Sequence, residues 1–412
     1  MATRVRPASI AQPVGLGRGL VLAAMIVCSL SYVINAMDRQ VFPSLLVAID
    51  KHYNFALPQG GLLATIFTLG LGLCGILAGT MVQRYGRKNT MLIGIAIYSI
   101  FTLLTGVAVG FADMFLYRAF TGAGEAMQNA ALFTAVGTYF YRNRAMALGV
   151  LNFAYGIGGF FGPLFGTQIF ARTGTWQTPF YIYGVLGLIF TVLIALVVPK
   201  VFTEAADRAV PDAASDRSGG KLWNRNVVLC AITAAVIGVS MYGYIGLYAT
   251  YLRTELHYSV PAAGFALSMF GIGALMGIPA GWLGDRFRQR NVILAALVGA
   301  MIVGYALFHG FEAPAQQAVL SFLEGTFASG FLFVNVYALI QRSAPPDRVA
   351  AASGIFVTCL YLGAAFAGYL FGSLAKAYGW GTAAVIQLDL IVVIGIAAML
   401  MFDDRAARKG TA

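Results

Sequence analysis

The chain has 412 residues, 59% of them hydrophobic and 10% charged, with a mean hydropathy of +0.78. Soluble domains carry about 25% charged residues, so a chain this apolar uses lipid as its solvent, and the class of ordinary soluble enzymes is excluded. The formal net charge of +11 does not point to nucleic acid, because the basic residues cluster in short connections between apolar runs.

A helix needs about 20 apolar residues to cross a bilayer. On that length the sequence predicts twelve spans, at 20–49, 60–82, 89–110, 114–140, 145–170, 178–199, 226–252, 261–283, 291–309, 315–341, 349–376 and 381–402. A polar, mixed-charge stretch, "PKVFTEAADRAVPDAASDRSGGKLWNR", separates the sixth from the seventh. The expected organisation is a cytoplasmic tail (1–18), a six-helix bundle (19–200), a linker (201–224), a second six-helix bundle (225–403) and a second tail (404–412).

The N-terminus, with Arg4, Arg6 and "GLGRGL", is basic and runs into the first span without a small-residue cleavage site. It is expected to be an uncleaved span and not a signal peptide. Within this span, "SYVINAMDRQVFPSLL" (31–46) carries Asn35, Asp38 and Arg39. Their i, i+3, i+4 spacing places them in one polar stripe. Asp38 either serves a function in the interior or marks the outer interface. In the second span, "GLGLCG" (70–75) fits a dinucleotide-binding pattern. No strand precedes it, so close helix packing is expected instead.

The fourth span carries Arg118 and Glu125. They are two helical turns apart on one face, with Gly122 between them leaving room for a neighbour. Arg118 is close enough to Asp113 to reach the outer surface as an alternative; Glu125 is too deep for that. Further candidates for a cavity wall are Asn152 and Tyr155 in span 5, Tyr242, Tyr244, Tyr248 and Tyr251 in span 7, Asn335 in span 10, and Thr358 and Tyr361 in span 11. For each, packing or interface anchoring is the competing reading. Glu324 (span 10) is either a second titrating site or a paired structural acid, and for Asp389 (span 12) a structural pairing is expected.

The four cysteines, Cys28, Cys74, Cys230 and Cys359, lie in apolar runs without ligand spacing, so neither a disulfide framework nor a metal site is indicated. His52, His257 and His309 fall near outer span ends and are expected to be solvated. No Walker A sequence and no Ser–His–Asp constellation occurs, so no enzyme activity and no cofactor are expected.

The halves repeat. "GTMVQRYGRKN" (79–89) follows span 2, and "GWLGDRFRQRN" (281–291) follows span 8, at an offset of 202 residues. Internal repetition across twelve spans marks a secondary transporter with its site between two halves. Of the 27 basic residues, 21 fall on the side of the termini and linker; Lys51, Arg172, Arg253 and Lys376 fall on the other, and Arg39 and Arg118 within spans. That asymmetry places both termini in the cytoplasm.

These loops resemble the signature of the major facilitator superfamily, and the resemblance covers essentially the whole chain. Gly281, Asp285 and Arg286 match it in the second loop, and Gly79, Arg84, Gly86 and Arg87 in the first. Gln83 stands where the family has an aspartate that helps latch the loop to the neighbouring half. "GGFFGPLFG" (158–166) is similar to the family's helix 5 glycine–proline motif. "NAMDRQ" and "RAFTGAGEA" (118–126) resemble stretches of the anion:cation symporter family, and spinster-type lipid transporters share much of both.

The resemblance implies the major facilitator fold, an all-α membrane protein of two pseudo-symmetric six-helix bundles. It also implies that Asp38 and Glu125 take protons, that Arg39 holds an anion, and that Arg118 modulates Glu125. Four charges at the bilayer centre cost on the order of 10 kcal/mol unpaired, so they are expected to face one another or a wet cavity. A proton on either carboxylate leaves the quartet at +1, and a freed arginine offers a planar fork suited to a carboxylate. The expected function is proton-coupled symport of a small organic anion, as a monomer in a bacterial inner membrane with no nucleic-acid partner. A drug or lysolipid exporter is the alternative, and a non-transporting membrane receptor a remote one.

Overall fold

The computed structural model describes residues 16–140, 144–204, 221–345 and 348–404. Most of the expected tails and linker (1–15, 205–220 and 405–412) lies outside the described residues. Every regular element among the described residues is helical. The first half contains α1 (Arg18–Tyr53), α2 (Leu57–Thr65), α3 (Phe67–Tyr85), α4 (Arg87–Thr105), α5 (Phe111–Tyr139), α6 (Arg144–Thr173), α7 (Gln177–Val197) and the short α8 (Lys200–Thr203). The second contains α9 (Arg225–Thr254), α10 (Val260–Ala274), α11 (Gly277–Arg286), α12 (Gln289–Phe308) and α13 (Pro314–Glu324), which passes through a π-helical stretch, Gly325–Phe333, into α14 (Val334–Ser343). It ends with α15 (Val349–Ala365), α16 (Ala367–Tyr378) and α17 (Trp380–Ala384), the last joined by a π-helical stretch, Val385–Leu390, to α18 (Ile391–Leu400).

Local chemistry sets the helix starts. Asn224 caps α9 by accepting from the Val227 N–H at 3.0 Å, and its amide donates to the Ser343 carbonyl at 2.8 Å. Asp113, in the first turn of α5, reaches back to the Gly110 N–H at 2.9 Å. Pro58, Pro261 and Pro314 sit in the first turns of α2, α10 and α13, where a missing N–H breaks no intrahelical bond. α1 ends at Asn54, whose φ of 59° is left-handed, a conformation that asparagine tolerates.

Eleven stretches of the described chain are long and apolar enough to cross a membrane. The remaining expected span, α5, has 29 residues. Arg118, Glu125, Gln128 and Asn129 dilute its apolar character. Spans 2, 8, 10, 11 and 12 are each interrupted where the sequence predicts continuous helices. Bends and π-turns leave the hydropathy of a segment unchanged, so composition does not reveal them.

Glycines set how closely these helices approach. Gly158, Gly162 and Gly166 present one face of α6 to α1, where added Cβ atoms would stand 2.3 Å from the Val33 carbonyl oxygen, 2.7 Å from that of Met37 and 2.3 Å from Val41 Cγ2. The adjacent face, at Gly156 and Gly159, meets Gly271 and Leu275 across the boundary between the halves.

The halves are sealed at the end far from the linker. A Cβ on Gly61 would lie 2.2 Å from the Gly368 carbonyl oxygen, and one on Gly368 would lie 2.0 Å from that of Gly61. Beside them Thr65 Oγ1 donates to the Ala365 carbonyl at 2.9 Å and accepts from the Gly368 N–H at 3.3 Å. Contact continues to Gly72 against Tyr361 and Leu362, then stops: Gly75 and Gly79 on α3 and Gly354 on α15 have nothing within 4 Å of a Cβ position. These three positions take no part in a close approach between helices.

Gly368→Val is expected to strain this seal by about 1–3 kcal/mol, the usual range for overpacking, without touching the charged residues. A cysteine placed at Thr65 should then react several-fold faster with an impermeant maleimide supplied from the side opposite the linker. Equal rates in the two backgrounds would show that the seal does not depend on this approach.

Candidate functional site

One face of α1 presents Ser31, Asn35, Asp38 and Arg39, and one face of α5 presents Arg118, Glu125 and Gln128. The faces meet in the interior of the first half. Arg39 donates from Nε to Glu125 Oε2 at 2.9 Å, and its Nη2 lies 2.7 Å from the same oxygen. Exposure is 1% for Asp38, 2% for Arg39, 1% for Arg118 and 0% for Glu125. Neither Arg118 nor Asp38 reaches the outer surface, so the structure rejects the snorkelling and interface readings.

Amide chemistry fixes the register of the two faces. Asn35 Nδ2 donates to Gln128 Oε1 at 2.9 Å, and Gln128 Nε2 donates to Ser31 Oγ at 3.2 Å. Gly122 admits α3: a Cβ there would stand 1.8 Å from the Phe67 carbonyl oxygen. This approach puts the Phe67 ring beside both guanidinium groups, 5.6 Å from Arg39 and 5.1 Å from Arg118. Phe42 lies under Arg118 at 4.6 Å. Each such cation–π contact contributes on the order of 0.5–2 kcal/mol when desolvated.

The network is only partly satisfied. Glu125 Oε1, Asn35 Oδ1 and two guanidinium nitrogens of Arg118 have no hydrogen-bond partner, and Asp38 has only the Thr102 hydroxyl beside it. Asp38 lies in the fields of Arg118, Glu125 and Arg39. With both carboxylates ionised the four residues sum to zero charge. In that state they form a buried quartet of zero net charge with spare acceptors and donors.

Aromatic side chains close the site toward the second half. Tyr155 of α6 accepts from Arg39 Nη1 at 3.4 Å, and its ring lies 5.3 Å from the guanidinium carbon. Tyr242 of α9 packs 6.1 Å from Phe67 and 6.2 Å from Tyr361 of α15. Tyr361 and Tyr242 both lie in the field of Arg39. Thr358, one turn from Tyr361, is half-buried, and Asn152, one turn from Tyr155, is exposed.

Several expected cavity residues are elsewhere. Tyr244 donates to Ser321 Oγ at 2.7 Å and Tyr248 to Gln317 Oε1 at 2.8 Å, both buried within the second half. Two residues on from Tyr242, Tyr244 is turned about 200° around α9, and a phenol in an apolar interior needs the acceptors that α13 supplies. Asn335 also serves packing: it donates to the Ala280 and Phe331 carbonyls at 3.2 and 3.0 Å. Conversely, Phe67, Gln128 and Ser31 belong to the site and were not among the sequence candidates. Gln128 and Ser31 were detectable, lying on the faces of Glu125 and Asn35 at helical spacing; Phe67 was not, because the approach of α3 places it.

A family model described as Major Facilitator Superfamily matches residues 28–253 and 230–412. The chain belongs to this superfamily. It is 24% identical to a hexuronate transporter of Bacillus subtilis over 346 residues, covering 79% of this chain and 81% of that protein. It is 23% identical to the cis,cis-muconate transport protein of Acinetobacter baylyi over 394 residues, covering 93% and 94%. Protein spinster of Drosophila melanogaster matches at 23% over 396 residues, 92% of this chain and 57% of that protein. Among solved structures, a bacterial homolog of the human lysosomal transporter Spinster, in an inward-facing and occupied conformation, aligns with a TM-score of 0.75 at 18% identity, covering 95% and 98% of the two chains.

As a superfamily member the chain is a multi-pass membrane transporter, and its two signature loops can be compared. In the second, Asp285 pairs with Arg342 at 2.5 Å and Arg286 lies over Trp282 at 5.5 Å, while Gly281 packs near Val334. In the first, Gln83 is exposed and Arg84 stacks on Tyr85 at 5.5 Å. Gly86 turns the chain at a φ of 82°. Glu204 accepts from the Lys88 N–H at 2.8 Å, and Arg87 donates to the Thr203 carbonyl at 3.3 Å. Each described contact stays within its own half.

Removing one member of a buried ion pair strands the other, at a cost of about 3–5 kcal/mol. Glu125→Ala and Arg39→Ala should each lower the melting temperature of the purified protein by several degrees. The double variant should lose less than the sum of the two. Additive losses would mean that the contact contributes nothing to stability.

Proposed function

We propose that this protein is a proton-coupled symporter of a small organic anion, with a carboxylate as its recognised group. The observation carrying this reading is the Arg39–Glu125 ion pair, buried beside Asp38 and Arg118 where the halves face each other. In this mechanism a proton reaches Glu125 or Asp38, and the pair with Arg39 loosens. A substrate carboxylate takes the vacated positions on the guanidinium, and the loaded site returns to zero charge. The uncharged complex then permits the halves to rock, since moving an unpaired charge through a low-dielectric interior carries a heavy penalty. Hexuronate and muconate, the compounds named for two relatives, are carboxylates.

The excess of Lys and Arg on the linker side supports a cytoplasmic location for both termini in an inner membrane. A second reading, an exporter of anionic amphiphiles, draws on the spinster relatives and on the solved spinster homolog.

Uptake of labelled carboxylates into proteoliposomes under an imposed inward proton gradient separates the readings. The symport reading requires gradient-driven accumulation that Arg39→Ala abolishes. Expulsion of lysolipid under the same gradient favours the exporter, and binding without flux favours a receptor. Glu125→Gln is expected to lose proton-driven accumulation while keeping part of its substrate exchange. If that variant showed unaltered proton dependence, Glu125 would have no place in the coupling. Arg39→Lys is expected to weaken binding at least tenfold, about 1.4 kcal/mol, because an ammonium cannot form the planar fork. Affinity equal to wild type in a thermal-shift titration would rule out bidentate capture.

A further inference from the structure

The last turns of α1 carry an acid that the quartet does not use. Asp50 lies about three turns beyond Asp38, toward the sealed end opposite the linker. Its carboxylate rests against α2: a Cβ on Gly60 would stand 2.5 Å from Asp50 Oδ1 and 2.7 Å from its Cγ. The missing side chain at Gly60 is what admits the carboxylate. Oδ1 is buried and accepts no hydrogen bond, and among the described residues Asp50 has no ion-pair partner.

The elements packed on this part of α1 supply no countercharge. On α1 itself, Lys51 and His52 are exposed, and Tyr53 donates to the Ala108 carbonyl. α2 and α10 hold no titratable residue. On α5, Asp113 is turned to the Gly110 N–H, and Arg118 and Glu125 belong to the quartet. Arg172 of α6 is exposed, and Tyr181 and Tyr183 of α7 donate to the Gly106 and Gly162 carbonyls. On α9, Tyr251 packs 5.6 Å from Trp380 and Arg253 is half-buried. No charged group among the described residues acts on Asp50. An ionised carboxylate buried without a partner is heavily penalised, and such a group takes up a proton instead.

The segment against which Asp50 rests is a separate piece of the seal. α2 has nine residues and is divided from α3 at Ile66; α16 is likewise divided from α15 at Phe366. Gly60 of α2 seats Asp50, and the next residue, Gly61, meets Gly368 of α16. A Cβ on Gly372 of α16 would stand 2.8 Å from the Leu57 carbonyl oxygen at the start of α2. α2 is therefore wedged between Asp50 in the first half and α16 in the second. Hydrating an ionised Asp50 requires water between α1 and α2, which displaces α2 from its place against α16.

We propose that Asp50 is a proton-operated latch on the sealed end of the transporter. Protonated, its carboxyl lies against Gly60 and leaves α2 packed on α16. When the O–H bond breaks, the proton passes to water on the side opposite the linker, and the carboxylate draws water between α1 and α2. The Gly61–Gly368 contact is then released. The pH on that side sets how readily this end opens, independently of the quartet. This inference rests on the chain being a transporter, and not on the identity of its substrate.

The test uses the full chain carrying Thr65→Cys in lipid vesicles. An impermeant maleimide is supplied from the side opposite the linker, with the pH varied on that side alone. Label at position 65 is located by peptide mass mapping, which separates it from the native cysteines. Each rate is divided by that of Val109→Cys, 88% exposed in the connection between α4 and α5 on the same side, to remove the ionisation of the thiol itself. The expected result is a normalised rate that rises several-fold from acid to alkaline pH. Asp50→Asn, which cannot ionise, should hold the rate low at every pH. Gly60→Ala, which displaces the carboxyl from its seat, should raise it even at acid pH. The rise should persist in Glu125→Gln and in Asp38→Asn. A flat profile in the chain with Asp50 intact, the same rise in Asp50→Asn, or loss of the rise in both quartet variants overturns the proposal.

Discussion

A guanidinium and a carboxylate placed within hydrogen-bond reach, in an interior closed to bulk water, set the terms for the first half of this transporter. Separated in hydrocarbon, each charge costs about 2.5–3.5 kcal/mol on insertion scales; together they are tolerable. This requirement explains features that otherwise seem unrelated. The Asn35–Gln128–Ser31 chain fixes the relative rotation of α1 and α5. Gly122 lets α3 come close enough for Phe67 to contact both arginines. Gly158, Gly162 and Gly166 then hold α6 against α1, which brings Tyr155 to Arg39.

The same pair suits a carrier because it is incomplete. A fully satisfied network rigidifies a core, whereas this one leaves Glu125 Oε1, Asn35 Oδ1 and part of Arg118 without partners. A site with unused acceptors and donors and zero net charge can exchange an internal carboxylate for an external one at small electrostatic cost. Its position, with Tyr242 and Tyr361 arriving from the second half, couples that exchange to the relation between the halves. Backbone-to-backbone approach at Gly61 and Gly368 seals the end far from the linker, and no such approach occurs at Gly75, Gly79 or Gly354. The two signature loops are each tied to their own half, through Glu204 in the first and Arg342 in the second.

The sequence by itself determined the class of solvent, the all-helical class of fold and the charged faces of α1 and α5. Those features follow from hydropathy and from 3.6-residue periodicity, which are properties of single segments. Asn35, Asp38 and Arg39 share a face wherever α1 is placed, and so do Arg118, Glu125 and the overlooked Gln128. Only the tertiary structure decided which faces meet, that Arg39 takes Glu125 as its partner, that Phe67 joins the site, and that Tyr242 alone of the span 7 tyrosines turns toward it. It also turned Tyr244, Tyr248 and Asn335 to packing, because helix rotation and the nearest acceptor, not residue type, decide where a polar side chain on a buried helix is satisfied. The π-helical stretches beside Glu324 and Asp389 were equally out of reach, since a widened turn arises from contacts between helices and leaves no trace in the composition of either one.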